Sequence, residues 1–198
     1  MTIQRLAAAM DWSAGALYRY YRGKDALLVA MQERVLERLG DRLLRARAAP
    51  SEGRAAHADP RVGALCSVLA LCDAFRAFAI EDFAGFSLVT VFVADQRALL
   101  NEEEALQVGR AMAAVLETTA ETLEDAVAHG ALAPGDGRDR TLVLWSALQG
   151  LLQLGKLERL EPRLSRSSSV LARTLTDGLL LGWGADPENL EAAHGVCE

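Results

Sequence analysis

The sequence predicts an all-α protein, and three observations carry that prediction. Apolar residues recur at helical spacing through most of the chain: Leu27, Met31, Val35, Leu39 and Leu43 form a strict i, i+4 series, with Leu28 and Leu36 beside it. No strand-like alternation persists. Pro and Gly punctuate the periodic segments more than they interrupt them. With 198 residues, half of them hydrophobic, the chain can bury a sizeable core.

The elements follow in order. Thr2 can cap a short helix over residues 2–9, with Ile3, Leu6 and Ala7 on one face. Asp11-Trp12-Ser13 breaks it, and Ser13 is a good N-cap for a second short helix to residue 20. Gly23 breaks the chain again, and a long helix is expected over 24–47. Residues 48–59, "AAPSEGRAAHAD", read as a linker. Asp59-Pro60 is a cap followed by a first-turn proline, opening a helix to residue 80 that is apolar nearly all round and belongs in the middle of a second domain, 60–198. A shorter helix is expected over 83–97. Asn101 with Glu104 resembles a capping box for a helix that stops at His129-Gly130. "APGDGRD", 133–139, is a turn, and two last helices are expected over 140–157 and 162–181.

Charge and cysteine usage narrow the function class. Residues 1–54 carry ten basic side chains against six acidic, and the remainder eleven against twenty-one, so the net charge of −6 hides a basic N-terminal quarter. One part of such a chain suits an anionic partner and the other does not. Charged residues interrupt the apolar runs before the ~20 residues that a membrane span needs, and no signal peptide is visible, so no membrane partner and a cytoplasmic location are expected. Cys66, Cys72 and Cys197 sit in no paired spacing and read as reduced, packed thiols. His57, His129 and His194 are scattered, and no nucleophile motif, phosphate loop or metal-ligand spacing occurs. No enzyme, metal or cofactor is expected.

All three tyrosines fall in "ALYRYYRGKDALL", 16–28. Two short helices joined by a three-residue break, the second entered at Ser13, describe a helix-turn-helix, whose second helix lies in a DNA major groove. Tyrosine beside DNA offers a hydroxyl to phosphate and a ring to sugar or thymine methyl. Lys24 sits in the first turn of the next helix, where free backbone N–H groups already favour an anion.

"RLAAAMDWSAGALYRYYRGKDALLVAM" resembles the DNA-binding signature of the tetracycline-repressor (TetR/AcrR) family of bacterial regulators. Leu6-Ala7, Ser13, Leu17-Tyr18, Tyr21, Lys24 and Leu27 fall on it in register. By that resemblance Ser13, Ala14, Gly15, Ala16, Tyr18 and Tyr20 face DNA, Thr2 and Lys24 grip phosphates, and Tyr21 is a core aromatic. Asp11 stands where the family has a turn glycine, and Ala16 where it has a small hydroxyl residue. The family's first helix has no counterpart after Met1, so a start further upstream is expected, with a truncated copy that binds DNA poorly as the alternative.

The implied architecture is an N-terminal helix-turn-helix, joined by a long helix to a C-terminal helical bundle for ligand binding and dimerisation. The resemblance places a ligand pocket among Phe75, Phe78, Phe83 and Phe86, with Met112 and Trp145 on other walls. Few polar groups accompany these aromatics, so the small-molecule effector is expected to be largely apolar, although Asp73 and Glu81 are possible partners for a cationic one. Helices 140–157 and 162–181 resemble the family's dimerisation pair, with apolar faces at Leu144, Trp145, Leu148, Leu151, Leu152, Leu171, Leu175 and Leu179. The implied function is a ligand-released repressor binding a near-palindromic double-stranded DNA operator as a homodimer. A dimeric helical module that has lost DNA binding is the rival, on the strength of Asp11, Ala16 and the missing first helix.

Overall fold

The computed structural model describes residues 13, 15, 19–52, 59–94, 102–160 and 167–197, and among them every regular element is a helix. These are α1 (Lys24–Glu52), α2 (Pro60–Glu81), α3 (Phe83–Ala94), α4 (Glu102–Ala128), α5 (Gly137–Leu160), α6 (Ser168–Gly182) and α7 (Pro187–Cys197). The expected helix over 2–9 lies outside the described residues. Of the second, Gly15, Arg19 and Tyr20 are described and helical.

α2 is the hub. Asp59 accepts a hydrogen bond from the Arg61 N–H at 2.8 Å, Pro60 takes the first turn, and the helix then buries Val62, Leu65, Cys66, Val68, Leu69, Leu71, Cys72, Phe75, Phe78 and Ala79. A helix with so little polar surface needs neighbours on every side, and α2 touches all six of the other helices. By length and composition alone it could cross a bilayer, despite Asp73 and Arg76; in the fold half of its apolar stretch is buried against its neighbours.

α1 lies across α2 and α4. Its buried residues are Val29, Gln32, Val35, Leu36, Leu39 and Leu43, a 3–4 spacing from Gln32 onward, and not the strict i+4 series. The reason is geometric: four residues turn about 40° past a full rotation, so an i+4 series winds off any one face. Met31 is therefore at the surface, 40% exposed, and Val29 and Gln32 face the core. α1 also runs on to Glu52 with Pro50 in its last turn, so 48–52 continue the helix where a linker was expected. Ala48 and Ala49 favour helix, while Pro50 lacks the N–H that would pair with the Ala46 carbonyl.

α4 stops where expected. Gly130 takes a left-handed φ of 70°, Ala131 N–H returns to the Ala126 carbonyl at 2.8 Å, and His129 Nδ1–H donates to the Asp125 carbonyl at 2.7 Å. α5 starts earlier than expected because the Asp136 carboxylate accepts from the Arg138 and Asp139 N–H groups. α7 is the element that sequence reasoning missed. Asp186-Pro187 repeats the cap–proline pair of Asp59-Pro60, and Asp186 Oδ1 accepts from Glu188 and Asn189 N–H. α7 lies along α2, where the Cys66 thiol donates to the Ala193 carbonyl at 3.5 Å, and His194 Nε2 meets Asp177 Oδ1 of α6 at 2.8 Å.

Leu39→Ala is expected to lower unfolding stability by about 3 kcal/mol, through lost burial plus a cavity, and Met31→Ala by less than about 1 kcal/mol. Urea denaturation of the two variants checks this reading of the α1 face.

Candidate functional site

Two regions carry the candidate chemistry, and α1 connects them. At its N-terminal end Ser13, Gly15, Arg19 and Tyr20 are all exposed, Tyr20 at 73%, and a Cβ placed on Gly15 would meet nothing within 4 Å. Arg22 and Lys24 continue this edge into solvent, with Lys24 in the first turn of α1, while Tyr21 is half-buried. Of the residues expected to meet DNA, Ser13, Gly15, Tyr20 and Lys24 are thus at the surface; Thr2, Ala14, Ala16 and Tyr18 lie outside the described residues.

At the other end, Leu43 of α1 forms one wall of a narrow apolar cleft. Leu71, Cys72 and Phe75 of α2, Thr119 of α4, and Leu144, Trp145 and Leu148 of α5 complete it, around a space of about 20 Å³. Phe75 and Trp145 pack tilted at 40° with ring centroids 4.4 Å apart, and Phe86 meets Phe75 edge-on at 6.0 Å. The Trp145 indole N–H donates to Gln149 Oε1 at 2.7 Å, so the ring is fixed without a polar group being left over. Burial pushes the Cys72 thiol up to about 12 against a hydrogen bond to Thr176 that works the other way, so it lines the cleft as a neutral, soft surface.

Phe75 and Trp145 of the expected pocket residues line this cleft. Phe78, Phe86 and Met112 are buried in the surrounding core. Phe83 departs from expectation: as the first residue of α3, just past the corner at Asp82, it turns outward and is 52% exposed. Leu43, Leu71, Leu144 and Leu148 were not picked out as a wall, because only packing decides which residues of four apolar helices face one gap. Asp73 and Glu81 do not enter the cleft; both are exposed and paired, with Arg76 at 3.2 Å and Arg42 at 2.7 Å.

α5 and α6 present a second apolar surface, but with different residues from those the sequence suggested. Leu144, Trp145 and Leu148 are buried and Leu151, Leu152, Leu175 and Leu179 half-buried, packed against this chain's own core, and Leu171 is half-buried. Leu142, Val143, Leu154, Val170 and Leu181 face outward, and Gly150 and Gly178 have open space above them.

Comparison with known families decides the class. Residues 68–179 match the model described as "Tetracyclin repressor-like, C-terminal domain", and residues 1–31 match "Bacterial regulatory proteins, tetR family". The chain belongs to the tetracycline-repressor family. It is a DNA-binding transcriptional regulator with an N-terminal DNA-binding domain and a helical C-terminal ligand-binding domain. Among solved structures, a protein of unknown function from Rhodococcus sp. RHA1 has a TM-score of 0.69 at 23% identity, covering 92% of this chain and 84% of that one. The TetR family transcriptional regulator PfmR from Thermus thermophilus has a TM-score of 0.64 at 19% identity, covering 91% and 88%. At such identities these likenesses speak for the fold. No curated protein sequence matches the regulator.

Because the folded Cys72 thiol titrates near 12 and not at its ordinary 9.0, the unfolded chain gains stability by ionising first. The contribution of Cys72 is therefore complete below pH 9 and is lost as pH rises towards 12. In a Cys197→Ser background, native protein at about pH 8 is expected to leave Cys72 unmodified by a thiol reagent, with modification appearing only in urea. Mass spectrometry of the Cys72 peptide reads the outcome.

Proposed function

We propose that this regulator is a homodimeric repressor. Its segment 13–20 reads a near-palindromic operator, and a small, largely apolar effector in the cleft releases it. The observation that carries this reading is the double use of α1. The same helix begins at exposed Lys24, beside the DNA-reading residues, and supplies Leu43 to the cleft wall. An effector seated between Leu43, Phe75 and Trp145 bears directly on the helix that carries the reading head. A ligand that favours one setting of α1 shifts the population towards it, by as much as its affinities for the two settings differ.

The cleft supports an apolar effector because no charged side chain is among its lining residues, so binding there comes from surface burial and aromatic contact. Dimerisation through α5 and α6 is supported by the outward apolar residues Leu142, Val143, Leu154, Val170 and Leu181, with Gly150 and Gly178 leaving room for close approach of a second copy. A two-fold dimer would set its two reading helices about 34–36 Å apart, one turn of B-DNA, or a multiple of that spacing.

A gel-shift with the DNA upstream of the gene tests the reading. Tyr18→Ala is expected to weaken binding about tenfold, and Lys24→Ala to reduce the salt dependence by about one phosphate contact, with folding unchanged. No binding, or binding indifferent to salt, would favour the DNA-independent helical module. Val143→Glu with Leu154→Glu is expected to yield monomers on size-exclusion chromatography.

A further inference from the structure

α1 is held to the body by two kinds of force. Burial of Val35, Leu36, Leu39 and Leu43 holds it closely, but apolar contact has no direction and tolerates small slides along the axis. Direction comes from three arginines. Arg42 makes a two-pronged pair with Glu81, Nη1 to Oε2 at 2.7 Å and Nη2 to Oε1 at 3.2 Å. One turn earlier, Arg38 Nη2 donates to Asp82 Oδ2 at 2.6 Å. On the other flank Arg47 pairs with Glu121 and, at 2.7 Å, with Asp125 of α4.

Glu81 and Asp82 are the corner where α2 ends and α3 begins. Asp82 does two things there at once. Oδ2 holds Arg38, while Oδ1 accepts from the Gly85 N–H at 2.9 Å and closes the first turn of α3. The carboxylate lies so close over this turn that a Cβ on Gly85 would stand 2.6 Å from it. α3 also receives α1 through Gln32, whose amide donates to the Leu88 carbonyl at 3.2 Å while its Oε1 is buried without a partner. An interface with a half-satisfied buried amide is not at its own optimum.

We propose that the Glu81-Asp82 corner is a register latch: it fixes the axial position of α1, and so of the reading head, and ties that position to the first turn of α3. A displacement of α1 by one helical residue, about 1.5 Å, breaks the two-pronged geometry and pulls on the carboxylate that caps α3. Single ion pairs this exposed add little to overall stability. Arg38, Arg42, Glu81 and Asp82 are positioning residues that act on DNA binding through α1. The inference rests on the proposed DNA reading for its functional consequence, and its structural part stands apart from it.

The sign of one variant separates the latch from simple charge. Glu81→Arg adds positive charge, which by electrostatics alone would tighten binding to DNA. The latch requires the opposite: about tenfold weaker binding to the upstream DNA, restored when Arg42→Glu is added to re-form the pair in reverse. Asp82→Asn keeps an acceptor for Gly85 while removing the charge that holds Arg38, and is expected to weaken binding without unfolding α3. Hydrogen exchange read without DNA is the second arm, with faster exchange over 36–47 and 83–88 in Glu81→Arg and recovery in the double variant. Tighter or unchanged binding by Glu81→Arg overturns the latch, as does unchanged exchange. If the wild type binds no DNA, the exchange arm alone decides the latch, and only the operator-reading proposal fails.

Discussion

The fold depends on hiding one helix. α2 carries ten buried residues distributed around its circumference, so no single partner can shield it. Shielding it from all sides requires a cage, and the other helices are arranged as that cage, with α7 closing the side that α1, α3, α4, α5 and α6 leave open. At roughly 25 cal/mol per Å² of apolar surface, leaving even one flank wet would cost several kcal/mol, a large share of the stability of any domain. The caps at Asp59, Asp136 and Asp186 set where α2, α5 and α7 begin.

The functional geometry follows from the same constraint. Around Phe75 and Trp145 the cage leaves the apolar cleft, and because α1 is part of the cage it is also part of the cleft wall. The helix that shields the hub and supplies Leu43 to the cleft is also the helix that leads to Lys24. The two parts of the chain also differ in charge, basic up to residue 54 and acidic beyond. The acidic part supplies Glu81, Asp82, Glu121 and Asp125 to the arginines of α1 and so keeps those arginines occupied within the body.

Several elements were legible before any coordinates. Asp59-Pro60, the all-round apolar run after it, and the His129-Gly130 stop are local signals, and each appears where it was expected because capping and propensity act over a few residues. The same local logic was present at Asp186-Pro187 but was not followed, since the eleven residues of α7 make a short helix whose stability comes from lying on α2. Residues 48–59 were expected to be a linker, whereas α1 runs through Pro50 to Glu52.

What the sequence determined by itself was the class: an all-α chain, a helix-turn-helix signature ending at Leu27, a central apolar helix, and no catalytic or metal-binding pattern, all set by short-range periodicity and spacing. What only the tertiary structure decided was which face of each helix is inside. Leu43 and Leu144 enter one cleft, Phe83 points to solvent, and Leu142 and Val143 take the outward surface that Leu144 and Leu148 were expected to supply. Such choices turn on small rotations of helices that are apolar over more than half their circumference, and no local signal distinguishes one apolar face from its neighbour.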